Sequence, residues 1–210
     1  MIYVAIGATV EDAANNAISA SSAIFTAADT TAPTLSSASI ASNNSTNTLA
    51  IAADDITLTF TASETIQTPV VTFNSGGAAI TDTSVTYVNT SGNTWTAAYT
   101  ANASDTSGAV TFSIAFSDTA GNAGTAVTSG SGSVTFDTTA PTLSSVSIAS
   151  NNSTNTLAIA ADDITLTFTA SETIQTPVVT FNSGGASITD TSVTYVNTSG
   201  NTWTAAYTAN

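Results

Sequence analysis

Ile56-Thr57-Leu58-Thr59-Phe60-Thr61-Ala62 alternates an apolar residue with a threonine at every step. A period of two puts successive side chains on opposite faces of an extended chain, so this stretch reads as a strand with one face in a core and one in water. Threonine suits the wet face because its branched side chain fits the pleat. The same alternation carries Trp95, Ala97 and Tyr99, and again Val110, Phe112, Ile114 and Phe116. Half-buried strands of this kind are the pattern of antiparallel sheets.

The seven residues recur unchanged at Ile164–Ala170, and that recurrence belongs to a longer one. Thr30 to Asn102 reappears as Thr138 to Asn210, 108 residues further on, with two differences: Val146 stands opposite Ala38 and Ser187 opposite Ala79. Asp-Thr-Thr-Ala-Pro leads in both copies, at Asp29–Pro33 and at Asp137–Pro141. Self-similarity at a fixed period is the signature of an array, and a unit of this length can bury a core of its own. The chain therefore divides into an N-terminal segment, 1–28, a first repeat, 29–137, and a second, 138–210, expected to lack its last two strands. Residues 1–28 read as the end of a preceding repeat or as a donor strand. Ile2, Val4 and Ile6 permit a strand; Ala13, Ala14, Ala17, Ile18 and Ala20 permit a short amphipathic helix; Ile24-Phe25-Thr26 is similar to Val134-Thr135-Phe136.

Turn signals separate the alternating runs: Asn43-Asn44-Ser45, Gly76-Gly77, Ser91-Gly92-Asn93, Ser107-Gly108 and Gly121-Asn122. They set strand A near Thr34–Ile40, B at Ile56–Ala62, C at Val70–Asn74, a further strand at Ser84–Asn89, E at Thr94–Thr100, F at Val110–Ser117 and G at Val127–Phe136. Pro69 stands at the start of C, where a missing ladder donor does no harm. Some seven short strands in roughly 100 residues, with no helical period, indicate an all-β fold: tandem immunoglobulin-like β-sandwich repeats.

The charge is one-sided. There are 14 Asp and Glu and no Lys, Arg or His. Ion pairs between side chains are therefore excluded. Such a surface repels the phosphates of nucleic acids and of anionic membranes and attracts divalent cations. Cysteine is absent, which excludes disulfides and thiolate metal sites. The absence of Lys also excludes Lys–Asn isopeptide cross-links. Met1–Val10 has no positive n-region and is not read as a signal peptide; no apolar run approaches membrane-spanning length. With no His, Lys or Cys there is no triad base, no Schiff-base amine and no thiolate nucleophile, and without Arg or Lys there is no phosphate clamp. No catalytic or cofactor-binding residues are assigned, and the chain is not expected to be an enzyme. Asp54-Asp55 reads as a charged turn before strand B.

Asp-Thr-Thr-Ala-Pro-Thr opening strand A, Thr61-Ala62-Ser63-Glu64 closing strand B and Ser117-Asp118-Thr119-Ala120-Gly121-Asn122 after strand F resemble the bacterial Ig-like tandem repeats of large surface adhesins, the extender repeats of RTX-adhesin type. The resemblance covers Asp29 to Asn210. It implies a long extracellular array that holds a terminal binding domain away from the cell, with calcium rigidifying the junctions between domains. In an Ig sandwich the start of strand A, the B–C loop and the F–G loop share one end. That places Asp29, Glu64 and Asp118 together at the top of the first repeat, with Asp137 and Glu172 as the equivalent set of the second. Calcium takes about six to eight hard oxygen ligands, which such loops offer, whereas zinc and copper favour the His and Cys this chain lacks. The expected metal is calcium, held by Asp29, Glu64, Asp118, Asp137 and Glu172; Asp54, Asp55 and Asp105 lie at the opposite end. The alternative is that the acids only keep a threonine-rich surface soluble.

The expected function is a structural extender or stalk of a secreted or cell-surface bacterial protein, working outside the cell. Its expected partners are neighbouring Ig-like repeats, in the same chain or in the next subunit, with no nucleic acid and no membrane insertion. The rival reading is a self-assembling extracellular fibre subunit that polymerises head to tail, residues 1–28 of one molecule donating a strand to the second repeat of the next. A carbohydrate-binding module would need exposed aromatics, whereas Trp95 and Trp203 stand in alternating strands and read as core. Thr57, Thr59 and Thr61 lie on a twisted sheet, without the flat lattice that ice recognition needs.

Overall fold

In a computed structural model of the chain, residues 2–6, 14, 21–25, 28–189 and 192–210 are described. Among them there is no helix. The strands are β1 (Ile2–Ile6), β2 (Ser21–Phe25), β3 (Leu35–Ser42), β4 (Leu49–Ala50), β5 (Asp55–Ala62), β6 (Val70–Ser75), β7 (Ala78–Ala79), β8 (Thr86–Ser91), β9 (Thr94–Thr100), β10 (Gly108–Ala115), β11 (Thr135–Phe136), β12 (Leu143–Ser150), β13 (Asp163–Ala170), β14 (Asn182–Ser183), β15 (Ala186–Ser187), β16 (Thr194–Ser199) and β17 (Thr202–Thr208). They fall into two compact units, Met1–Thr138 and Thr139–Asn210. The stretch 13–20, whose sequence permits a short helix, lies outside the described residues except for Ala14, which is in a turn. β1 and β2 pair antiparallel with each other and with no other described strand.

The first unit is a two-layer sandwich. One sheet has the order β3-β5-β9-β8 and is antiparallel throughout; the other has the order β4-β11-β10-β6-β7. The alternation along β5 comes out as expected, with Ile56, Leu58 and Phe60 wholly buried and the threonines between them half exposed. Val71 and Phe73 of β6 and Val110, Phe112 and Ile114 of β10 face them across the core. The ring of Phe73 lies against that of Tyr99 at 4.8 Å between centroids, tilted by 44°. Tyr87 adds a polar tie, its Oη accepting from the Val71 amide at 2.9 Å. Two facing sheets of this order and pairing, all antiparallel but for the short β4–β11 contact, form an immunoglobulin-like sandwich.

Strand G is a correction. Only Thr135–Phe136 of the expected Val127–Phe136 is a strand. Val127 exchanges both backbone bonds with Ile114 of β10. The chain then leaves that sheet: Ser131 donates to Ala38 O at 2.8 Å and accepts from the Ile40 amide at 3.0 Å, both on β3 of the other sheet. It returns at Val134, which accepts from the Val110 amide. Gly130 and Gly132 permit the crossing. A Cβ at either would fall on the carbonyl oxygen of Ala38 or of Ile40, and Gly132 sits at φ +75°. The excursion ties the two layers together along one edge.

The second unit keeps one layer of this plan. β12-β13-β17-β16 has the strand order of the first sheet, and its pairs match residue for residue: Ile148 faces Leu166 as Ile40 faces Leu58, and Phe168 faces Trp203 as Phe60 faces Trp95. Among the described residues the second layer consists of the β14–β15 hairpin. Phe181 still meets Tyr207 at 4.7 Å, but burial is much thinner. Ile148 is 61% exposed where Ile40 is 5%, and Leu166 and Ile164 are half-buried where Leu58 and Ile56 are fully enclosed.

Candidate metal centre

The stretch after β10 is a tight loop built on one carboxylate. Phe116 O accepts from the Gly124 amide and Asp118 N donates to Asn122 O, which folds the chain back on itself. Asp118 Oδ1 accepts from the amides of Gly121 and Asn122 at 2.7 and 2.8 Å; Oδ2 accepts from Asn122 Nδ2 at 2.7 Å. Gly121, at φ +98°, makes the turn possible. The Asn122 side-chain amide is the chief cause that holds the Asp118 carboxyl below the usual carboxylate range; burial opposes it, and the amides of Asn122, Gly121 and Ala120 reinforce it. Asp118 is 1% exposed, so its charge is retained out of contact with water by these donors.

Two other elements bring carboxylates to the same place. Asn122 Nδ2 also donates to Asp29 O at 3.0 Å, anchoring the segment ahead of β3 to the loop. Asp29 Oδ1 accepts from the Thr31 amide, an Asx turn that fixes its own side chain. The loop after β5 is drawn in by Gln67, whose Nε2 donates to Asp118 O at 2.9 Å and whose amide donates to Ser117 O. Glu64 lies on this loop, half-buried. One oxygen from each of Asp29, Glu64 and Asp118 lies within 4.8 Å of the others. Three carboxylates at that separation repel one another, and the sequence contains no side-chain cation to offset them. A hard divalent ion suits an all-oxygen donor set of this kind.

The remaining acids are placed differently. Asp137 follows β11, and its amide donates to Ala50 O at 2.9 Å. Glu172, at the position equivalent to Glu64, lies beyond β13; its Oε1 is buried without a hydrogen-bond partner. Asp54, Asp55 and Asp105 each serve a local structure. Asp54 Oδ2 takes the Ile51 amide and Asn44 Nδ2, both at 2.8 Å; Asp55 Oδ1 takes the Thr100 hydroxyl at 2.7 Å. Burial works against the charge of Asp105, but the amides of Asn102 and Thr81 and the Thr81 hydroxyl outweigh it and hold its carboxyl below the ordinary value.

Trp95 and Tyr99 offer no sugar platform. Tyr99 is 2% exposed, and Trp95 packs against the core with its indole N–H buried. This removes the carbohydrate-binding alternative for these residues, because a stacking surface must face water.

Neither the protein-family models nor the curated proteins give a match to this chain. Among solved structures it is similar to the titin domains Z1Z2 in complex with telethonin, at 16% identity over 87% of this chain and 84% of that one, TM-score 0.30. It is similar also to a chimeric titin Z1Z2 functionalized with a KLER exogenous peptide from decorin, at 16% identity over 86% and 83%, TM-score 0.35. A third structure, of titin Ig tandem domains, aligns at 12% identity over 85% and 82%, TM-score 0.28.

Proposed function

We propose that the chain is a structural extender, a run of immunoglobulin-like modules that sets a distance outside the cell and is stiffened by calcium. The observation that carries this reading is the repeat itself: one sequence forms the same four-stranded sheet in the same register in each unit. Near-copies in series add length without adding a new surface, which is what a spacer needs. Its partners on this reading are neighbouring modules, in the same chain or in the next subunit.

Calcium is supported by the convergence of Asp29, Glu64 and Asp118 where the chain enters the first sandwich. The test is thermal unfolding in millimolar calcium against excess EDTA. For sites of extracellular type, with Kd about 10⁻⁴–10⁻³ M, ~5 mM calcium stabilises the bound unit by about 1–2 kcal/mol, a rise of several degrees for a domain of this size. Glu64 has no part in stapling the Asp118 loop, so Glu64→Gln should abolish the rise without lowering the melting temperature in EDTA. An absence of any calcium-dependent shift would leave Asp29 and Asp118 as loop staples and Glu64 as solvated charge.

A further inference from the structure

Seven asparagines stand in Asn-x-Ser/Thr triplets: Asn43, Asn44, Asn89, Asn102, Asn151, Asn152 and Asn197. The triplet is the acceptor pattern for sugars joined to the side-chain amide, and in a chain this rich in serine and threonine it recurs by composition alone. Geometry separates the seven. Asn44 and Asn152 donate Nδ2 to the carboxylates of Asp54 and Asp162 at 2.8 and 2.9 Å. Asn89 and Asn197 close their hairpin turns by donating to Gly92 O and Gly200 O, each at 3.0 Å. Asn43 and Asn151 reach the carboxylates of Asp55 and Asp163 at 3.5 and 3.4 Å. In these six the amide nitrogen is engaged within the fold.

Asn102 is arranged the other way round. It follows β9 in an exposed turn. Asp105 fixes its backbone: the Asn102 amide donates to Asp105 Oδ2, and Asn102 O accepts from the Asp105 amide, both at 2.9 Å. Asn102 Oδ1 accepts from the Ser104 amide at 3.1 Å and from the Ser104 hydroxyl at 2.8 Å. Ser104 is the third residue of the triplet, so here the triplet's own hydroxyl binds its own asparagine. At Asn43 and Asn151 the corresponding hydroxyls, of Ser45 and Ser153, turn instead to the neighbouring Asn44 and Asn152. Asn102 Nδ2 makes no hydrogen bond among the described residues. Ala52, Ala53, Asp82, Thr83 and Thr100 wall an open cleft of about 580 Å³ beside it, which leaves room over small side chains for the first sugar of a glycan.

We propose that Asn102 is an acceptor for N-linked glycosylation, its Nδ2 taking a sugar from a phosphate-activated glycosyl donor by the action of a transferase. A bond forms between Nδ2 and the anomeric carbon of the sugar. The bond from that carbon to the phosphate oxygen breaks, and the phosphate leaves with the electron pair. The proton lost from Nδ2 passes to a base of the transferase. As it leaves, negative charge collects on Oδ1, where the two Ser104 donors already point, so the turn favours the reacting form of the amide. At the other six triplets the hydrogen bond that holds Nδ2 must first be given up. The inference goes beyond the extender reading and stands whether or not calcium binds.

The folded 210-residue chain tests it in two arms. One offers a soluble asparagine glycosyltransferase with a nucleotide-linked hexose; the other offers an oligosaccharyltransferase with a lipid-linked oligosaccharide. Intact mass counts the sugars added and tells the two donor sources apart, and peptide mapping places them. The expected result, in at least one arm, is a first adduct at Asn102. Asn44, Asn89, Asn152 and Asn197 should react roughly tenfold more slowly, the effect of one hydrogen bond that must be broken. Asn102→Gln should abolish that adduct and Ser104→Ala should remove most of it, whereas Ser104→Thr, which keeps the hydroxyl, should retain it. A Trp95 emission spectrum unchanged from the parent chain shows that each variant is folded. No adduct at Asn102 in either arm overturns the proposal. So do labelling spread evenly over the seven triplets and labelling of Asn102 that is undiminished by Ser104→Ala.

Discussion

Ile40 and Ile148 are the same residue of the same strand, paired with Leu58 and Leu166 at the same register. Their exposures are 5% and 61%. What differs is the cover: the Ser131–Phe136 crossing lies over β3 in the first unit, and no described strand does so over β12. Truncation to alanine measures that cover. Full burial of an isoleucine is worth about 1.5–3 kcal/mol. Ile148 forgoes a little over half of it, so the transfer part of the two losses differs by about 1–1.5 kcal/mol. Ile40→Ala also opens a cavity in a closed core, whereas water already reaches Ile148, so the cavity cost falls on Ile40 alone. Ile40→Ala should cost about 2–4 kcal/mol and Ile148→Ala about 1 kcal/mol or less. The assay is urea unfolding at low protein concentration, followed by tryptophan fluorescence. The sequence has 2 tryptophans, one in β9 and one in β17, so Trp203→Phe leaves a reporter for the first unit and Trp95→Phe one for the second. Equal losses at the two positions, or a larger one at Ile148, would refute the reasoning, because the face of β12 would then be as well covered as that of β3.

Other outcomes follow from the same geometry. Asp118 and Asp105 both have carboxyls held below the ordinary value. The stability they contribute is therefore complete above the unfolded-state pKa of ~3.9 and lost as pH falls through the lower folded values. The urea midpoint of the first unit should be flat from neutral pH to about 5 and drop below about 4; a midpoint that rises on acidification contradicts this assignment. Gly132→Ala places a Cβ on Ile40 O at a φ of +75° and should lower the stability of the first unit by more than ~1 kcal/mol, leaving the second unit unmoved in the Trp203 signal. Tyr87→Phe strands the Val71 amide and should cost the first unit about 1–2 kcal/mol, read by the same titration; no loss would mean that water replaces the tyrosine hydroxyl.

The long strands were legible because their signal is local. Threonine alternation gave β5 to within a residue and β9 exactly at its observed ends, Thr94 and Thr100. β4 and β7 were not seen, since a strand of two residues has no period to detect. Strand G was misread because β-branched Val127, Val134 and Thr135 argue for a strand at both ends of a stretch whose middle, Ser129-Gly130-Ser131-Gly132-Ser133, does not alternate. The two glycines were the available signal, and they mark a backbone that must come close to another backbone. The convergence of Asp29, Glu64 and Asp118 followed from which loops share an end of the sandwich. The stapling of Asp118 by Asn122 had a local signature in Asp-x-x-Gly-Asn, whereas the tie of Asp105 to Thr81 spans 24 residues and had none.

The two units separate what a sequence specifies locally from what it receives from its surroundings. Seventy-three residues, identical but for two, pair their four long strands in one register in both places. Register is thus written into the alternation of those strands and the turns between them, since a slip of one residue would turn every apolar side chain to the wrong face. Burial is not written there. The isoleucines and leucine at positions 40, 56 and 58 are enclosed, while their equivalents Ile148, Ile164 and Leu166 are half-open or exposed, with no change of pairing within the four-stranded sheet; Phe168 stays buried in both settings.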